Sequence, residues 1–471
     1  MKRRTKIVCT LGPATSTREK IAALIEAGMN VARLNCSHGD WATRREWIQH
    51  LRELSPKFRP LAILADLQGP KFRIGMLPND LITLHTGDAV TVGQAEDATI
   101  PVHQEEILDA MSTNSRLLLG DGEIEIRLGE KIAPGTFDAR VVTGGHLASR
   151  KGVTLVGKAF DVEPITDKDR EDVKEAVAAG VDFIALSYVK SAHDVRLLRR
   201  MVDELGGKKI ALCAKIEMLQ GVRELEEILK VVDLVMVARG DMGLQMDIED
   251  VPLMQKHIID ECTFAGKPVI TATQMLESMI AAPRPTRAEA TDVANAVLDG
   301  TDALMLSGET AVGKYPIECV RTMVRIAEAA ESHYDRHRLE RAFQERSRNG
   351  VGHTDAIAHA VSELSQLIKP KAIVCTTTSG QTPRLVSKFR PKAPILCATW
   401  DDATHRKLAV VWGVESVQID LPAHTDAVVE QAIDEFVSRK RVKVGDTVIV
   451  TAGVPAGTAG NTNMILTQQV K

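Results

Sequence analysis

The sequence predicts an α/β protein built on a (β/α)8 TIM barrel, with an inserted all-β lid domain and a C-terminal α/β domain with a mostly parallel sheet. Three observations carry that expectation. Eight short β-rich runs alternate with helical patterns, three before a long interruption and five after it, which favours a closed barrel over an open doubly wound sheet. The interruption changes texture to short strands broken by Gly, Asp and Pro turns. Past the charged stretch 331–350, a second and shorter βα alternation runs to the end.

Taken in order, KIVCTLG reads as the first strand, and STREKIAALIEAG follows it as a helix with Ser16 and Glu19 in a capping-box pattern. MNVARLNCSHG, a helical stretch over 41–53 and LAILADLQG complete the first three strands. VDFIALSYV, KIALCAKIE, DLVMVARGD, KPVITATQML and DALMLSGET supply the other five. The predicted domains are 1–69 for the first part of the barrel, 70–165 for the lid, 166–345 for the rest of the barrel and 346–471 for the C-terminal domain. An insert at that point stands over the barrel mouth, where a hinged cover would exclude water from reacting groups.

Composition narrows the function. A chain of 471 residues exceeds the roughly 250–300 that one core usually serves. With 59 basic and 63 acidic side chains and 3% aromatics, nothing favours nucleic acid or an anionic membrane as partner. No apolar run reaches the roughly 18 residues of a membrane span. In MKRRTKIVCTLGP the apolar stretch is short and broken at Gly12-Pro13, so a signal peptide is not expected. Seven cysteines without a CxxC pair suit buried thiols in a reducing, cytoplasmic setting.

In such barrels chemistry gathers at the carboxyl ends of the strands, so those ends hold the candidate site. In AKIE, Lys215 and Glu217 are two apart and face the same side. Asp241, in VMVARGDMG, ends the next strand and with Glu217 offers two carboxylates to one Mg2+ or Mn2+. The same Arg-Gly-Asp turn presents backbone N–H groups suited to an anion. Thr273 brings a hydroxyl to the seventh strand end. RLNCSHG places Arg33, Asn35, Cys36, Ser37 and His38 after the second strand, where an arginine suits phosphate.

The motifs MNVARLNCSHG, ADLQGPKFR, AKIE, VMVARGDMG, ITATQMLESM, PRPTRAEATDVANAVLDGTDA and LSGETAVGKYP resemble the pyruvate kinase family along nearly the whole chain. The resemblance implies transfer of the phosphoryl group of phosphoenolpyruvate to ADP, giving ATP and pyruvate in glycolysis. It assigns catalysis to Lys215, Arg73, Thr273, Ser307 and Glu309, and substrate binding to Arg33, Lys215, Gly240, Asp241 and Thr273. Nucleotide contacts would come from Asn35, Cys36, Ser37, His38, Arg73 and Lys151, and the divalent ion from Glu217 and Asp241. A monovalent cation would sit near Asn35, Ser37, Asp66 and Leu67. Lys71 stands where many relatives carry glutamate, so its ammonium is expected to replace K+ unless it pairs with Asp66. Two departures from the commoner pattern are Cys36 for Phe and Met218 for Asn.

The loop Thr376, Thr377, Thr378, Ser379, Gly380 and Thr382, with the glycine-rich GVPAGTAGNTN, resembles the family's allosteric site for a phosphorylated effector. A homotetramer follows by the same analogy. The competing readings are a metal-dependent pyruvate-enolate aldolase or lyase and a non-catalytic metabolite-sensing scaffold.

Overall fold

The computed structural model describes residues 3–157, 162–420, 425–454 and 462–471. The glycine-rich stretch of the expected effector site, 455–461, lies outside them. All eight runs form barrel strands: Lys6–Thr10, Val31–Asn35, Ala62–Asp66, Phe183–Leu186, Ala211–Ile216, Leu234–Ala238, Val269–Ala272 and Ala303–Leu306. Each pairs in parallel with its neighbours in sequence order, and the eighth closes on the first in the register Lys6 to Ala303. Continuously buried strands such as AILAD, FIAL and LVMVA show why the runs lack polar alternation: interior side chains cover one face and helices the other.

Alternate residues divide between these layers. Val8, Val31, Leu64, Phe183, Met236 and Ile270 pack inside the barrel, while Ile7, Leu34, Ile63 and Ile184 meet the helices. The C-terminal domain packs against the amino end of the barrel, where Leu408, Val410 and Val411 join the interior cluster. Only the opposite, carboxyl end is left to carry chemistry.

Gly69 starts the excursion into the lid with a φ of +70°. A Cβ there would lie 2.8 Å from the Ser187 Cβ, so the residue must be glycine for both space and backbone conformation. The Asp169 carboxylate accepts from the Gly69 N–H at 3.1 Å and fixes the departure. Beyond it lie a six-stranded and a two-stranded sheet, together with a short α-helix, Glu105–Ala110, which the turn-rich sequence does not announce.

The C-terminal sheet runs in the order Val414–Gln418, Ile395–Thr399, Ala372–Thr376, Thr447–Gly453, all parallel, with Thr462–Gln469 antiparallel at the edge. All seven cysteines are buried and free. Among the described residues no helix is long and apolar enough to cross a membrane. One local correction concerns the first helix: its N-cap is Thr17, whose hydroxyl accepts from the Lys20 N–H at 3.3 Å, and Ser16 stands just outside.

A buried histidine gives the C-terminal domain a pH signature. Burial, chiefly, holds the His405 imidazole down to about 4 from its ordinary 6.5. Between those values the unfolded chain takes up a proton that the fold refuses, so stability falls as pH drops from 6.5 to about 4. His405→Gln should flatten that part of a plot of denaturation midpoint against pH.

Candidate active site

The ends of barrel strands two to six converge on one ammonium group. Lys215 lies in the buried strand ALCAKI, with its Nζ 2.9 Å from Glu217 Oε1 and 3.3 Å from Asp66 Oδ1. It donates to the Ser187 hydroxyl at 2.7 Å, and that hydroxyl donates in turn to the Leu67 carbonyl at 2.7 Å. Asp66 also accepts from Arg33 Nε at 2.6 Å through its other oxygen, and Arg33 reaches the Thr10 hydroxyl at 3.0 Å. Thus Asp66 orients both cations at once, and Lys71 is exposed and takes no part in that pairing.

Burial sets the electrostatics. Asp66, Lys215 and Glu217 are respectively 1%, 9% and 0% exposed. Burial opposes both charges of the Asp66–Lys215 pair, yet Lys215 and Arg33 hold Asp66 below the carboxylate range, and Asp66, Glu217 and Asp241 hold Lys215 above the ammonium range. Glu217 differs, because burial and the nearby Asp241 outweigh Lys215 and push it up to about 7. Such opposed shifts are typical of groups arranged for chemistry.

The donor set suits a hard divalent ion. Two cations, Arg33 and Lys215, meet three carboxylates, Asp66, Glu217 and Asp241, which leaves an excess negative charge. Glu217 Oε1 is buried without a well-directed hydrogen bond despite its contact with Lys215, so its coordinating capacity is not used up. Among the described residues no third His, Cys, Asp or Glu joins Glu217 and Asp241 in a metal-binding group. Two carboxylates with the remaining positions left to water or substrate oxygens fit Mg2+ better than an all-protein cage would.

On the other side of the mouth Thr273 has a φ of +68° and Gln274 one of +53°. A β-branched residue in the left-handed region is strained and must be held there. Its hydroxyl accepts from the Gly240 N–H at 2.8 Å and donates to the Ala272 carbonyl at 2.6 Å. Arg239 clamps the same turn, donating to the Thr273 carbonyl at 2.7 Å while Asp292 pairs with it at 2.6 Å. Glu309, fully buried, accepts from the Leu276 and Ser307 N–H groups at 3.0 and 2.7 Å and so joins the seventh and eighth strand ends. Glu309→Gln would set an amide N–H2 against one of those donors. It should cost about 1–3 kcal/mol of stability, read from denaturant unfolding.

A model of the pyruvate kinase barrel domain matches residues 2–320, and one of the pyruvate kinase alpha/beta domain matches residues 355–466. The chain belongs to the pyruvate kinase family. A pyruvate kinase of Geobacillus stearothermophilus is 43% identical over 99% of this chain and 80% of its own length. A pyruvate kinase of Sporosarcina psychrophila is 41% identical over 98% of the chain, and pyruvate kinase 2 of Synechocystis is 41% identical over all of it, each over 80% of its own length. The pyruvate kinase barrel match includes every strand-end residue described above and the lid.

On the inserted domain, Arg73 donates to the Arg150 carbonyl at 2.9 Å, and Ile74 donates to the Lys151 carbonyl at 3.0 Å, so Arg73 and Lys151 lie on paired segments. Lys151 is exposed. A small cavity between lid and barrel is lined by Lys71, Gly152, Thr154, Tyr188, Met218 and Asp241. After the second strand, Asn35 Oδ1 accepts from the Ser37 N–H at 3.1 Å and His38 is exposed.

Among the expected nucleotide contacts, Cys36 differs from the exposed His38 and Lys151 in burial. It is 0% exposed, its thiol is pushed up to about 12 mainly by burial, and its carbonyl accepts from Lys168 at 2.6 Å. It packs the loop from beneath.

The pyruvate kinase alpha/beta match also covers the threonine-rich loop. Thr377 accepts from the Gly380 N–H at 3.0 Å, and Gly380 has a φ of +80° as the helix Gln381–Lys388 begins. Thr376, Thr377 and Thr382 are buried, and the Thr382 hydroxyl is 2.6 Å from that of Thr462 on the edge strand. The groups left at the rim are Thr378 and Ser379, both half-buried.

Sequence reasoning passed over Ser187 and Tyr188. The available signal was position: they follow the fourth strand directly, at a carboxyl end that carries no charged residue.

Proposed function

We propose that the strand-end cluster transfers the phosphoryl group of phosphoenolpyruvate to ADP, and that the enolate left behind is then protonated to pyruvate. The observation that carries this reading is Lys215, buried and held by Asp66, Glu217 and Ser187 at the barrel mouth of a chain in this family. Little covalent work falls to the protein in such a transfer, so positioning and charge stabilisation dominate. Lys215 would face the moving phosphoryl group and the enol oxygen, with Arg33 and Arg73 supporting the phosphate. Glu217 and Asp241 would hold Mg2+ or Mn2+, which supplies positive charge to the oxygens of phosphate, carboxylate and enol.

Gly240 and Asp241 would receive the substrate carboxylate. Thr273 stands on the face where the enolate takes its proton, with Ser307 and Glu309 behind it. Asn35, Ser37, His38 and Lys151 would meet the nucleotide. The test is omission: ATP should form only when phosphoenolpyruvate, ADP and the divalent ion are all present. Pyruvate and inorganic phosphate formed from phosphoenolpyruvate without ADP would instead indicate hydrolysis, with water as the phosphoryl acceptor, and pyruvate released by C–C cleavage of a longer 2-keto acid would indicate a lyase.

Regulation and assembly complete the proposal. The rim of the threonine-rich loop would take a phosphorylated effector at the amino end of Gln381–Lys388, and the enzyme would act as a homotetramer. Lys71, exposed at the root of the lid, would supply the positive charge that K+ brings near Asn35, Ser37, Asp66 and Leu67. Activity should then be the same within about twofold in sodium, potassium or a bulky ammonium salt, and Lys71→Glu should create a potassium requirement. A strong fall in the unsubstituted enzyme when potassium is withdrawn would refute the Lys71 role.

A further inference from the structure

Tyr188 touches both carboxylates of the pair. Its backbone N–H donates to Glu217 Oε2 at 2.6 Å, and its phenol donates to Asp241 Oδ1 at 3.4 Å. The residue has a φ of +55°. For a bulky side chain that conformation is strained and persists only where surrounding contacts impose it. Ser187 supplies one such contact, because its hydroxyl is fixed between Lys215 and the Leu67 carbonyl.

Each carboxylate therefore has one oxygen engaged by Tyr188; of the second oxygens, Glu217 Oε1 accepts no well-directed hydrogen bond but lies 2.9 Å from the Lys215 ammonium, and Asp241 Oδ2 is the one turned from the phenol. One oxygen per carboxylate matches Mg2+, which requires a near-ideal octahedron at about 2.0–2.1 Å. Two oxygens per carboxylate would suit Ca2+, which accepts six to eight ligands at about 2.3–2.6 Å. We propose that Tyr188 is a positioning residue for metal selection, keeping Glu217 and Asp241 monodentate and so favouring a small octahedral ion over a larger one. This rests on the reading of Glu217 and Asp241 as the metal pair.

The test uses the full chain without substrates. Mn2+ binding is followed by electron paramagnetic resonance, and Mg2+ and Ca2+ are titrated as competitors. In Tyr188→Phe the Glu217 contact stays, because it comes from the backbone, and Asp241 loses its phenol. The ratio of Ca2+ to Mg2+ affinity should rise by about tenfold, the lower end of what outer contacts of a metal site contribute, with the melting midpoint unchanged. An unchanged ratio overturns the proposal, including the case in which both ions weaken equally, which would mark a merely structural role. Asp241→Asn in the same titration separates the two readings. If Mn2+ binding survives it unchanged, the ligand assignment falls and this proposal with it. If Asp241→Asn abolishes binding while Tyr188→Phe leaves the ratio alone, only the Tyr188 role falls.

Discussion

Lys215→Ala should lower turnover by on the order of 10³-fold, the scale seen when one preorganised stabiliser of developing charge is removed. Binding of phosphoenolpyruvate should change far less, because Arg33, Arg73 and the metal pair remain. The geometry explains the asymmetry. Lys215 is held by Asp66 at 3.3 Å, Glu217 at 2.9 Å and Ser187 at 2.7 Å, so its ammonium stands in place before charge develops. Equilibrium binding set beside single-turnover rates distinguishes this from a loss of affinity. Full activity in the variant would sink the mechanism.

Asp66→Asn should have the second largest effect, and it should act on stability as well as rate. Asp66 is the carboxylate shared by Arg33 and Lys215, and it is 1% exposed. Asparagine keeps the volume and removes the charge, leaving two cations near each other with Glu217 as the main compensation. Breaking a buried pair in this way typically costs about 3–5 kcal/mol. Turnover should fall by about 10²-fold, since both phosphate-facing cations lose their common anchor. Denaturant unfolding gives the first quantity and steady-state kinetics the second. A variant as stable as the parent would show that Arg33 and Lys215 do not depend on Asp66.

Much of this architecture is legible in the chain because the barrel repeats one physical requirement. AILAD, FIAL and LVMVA are apolar throughout because both faces of a parallel strand are covered. Residues that interrupt that rule at the strand ends, such as Asp66, Lys215 and Asp241, therefore stand out. Lys215 and Glu217 two positions apart point the same way, and in the fold they are in contact. Contacts that depend on which strands meet are harder to read. The partners of Asp66 are Arg33 and Lys215, the latter from a strand 149 positions on, and not the nearby Lys71.

Backbone conformation was the least accessible feature. Thr273 and Tyr188 both have positive φ, which nothing in their residue type suggests. Spacing also says little about which side of a loop a residue takes, and so RLNCSHG does not reveal that Cys36 is buried while His38 is exposed. Ser187 and Tyr188 went unread because neither carries a charge at neutral pH to mark them against the apolar strand.

Direct transfer between phosphoenolpyruvate and ADP is the central claim, and following an isotopically labelled phosphoryl group through a single turnover tests it most directly. All label lost from phosphoenolpyruvate should appear in ATP, with pyruvate formed in equal amount. Label released as inorganic phosphate, or pyruvate formed in excess of ATP, would contradict the account.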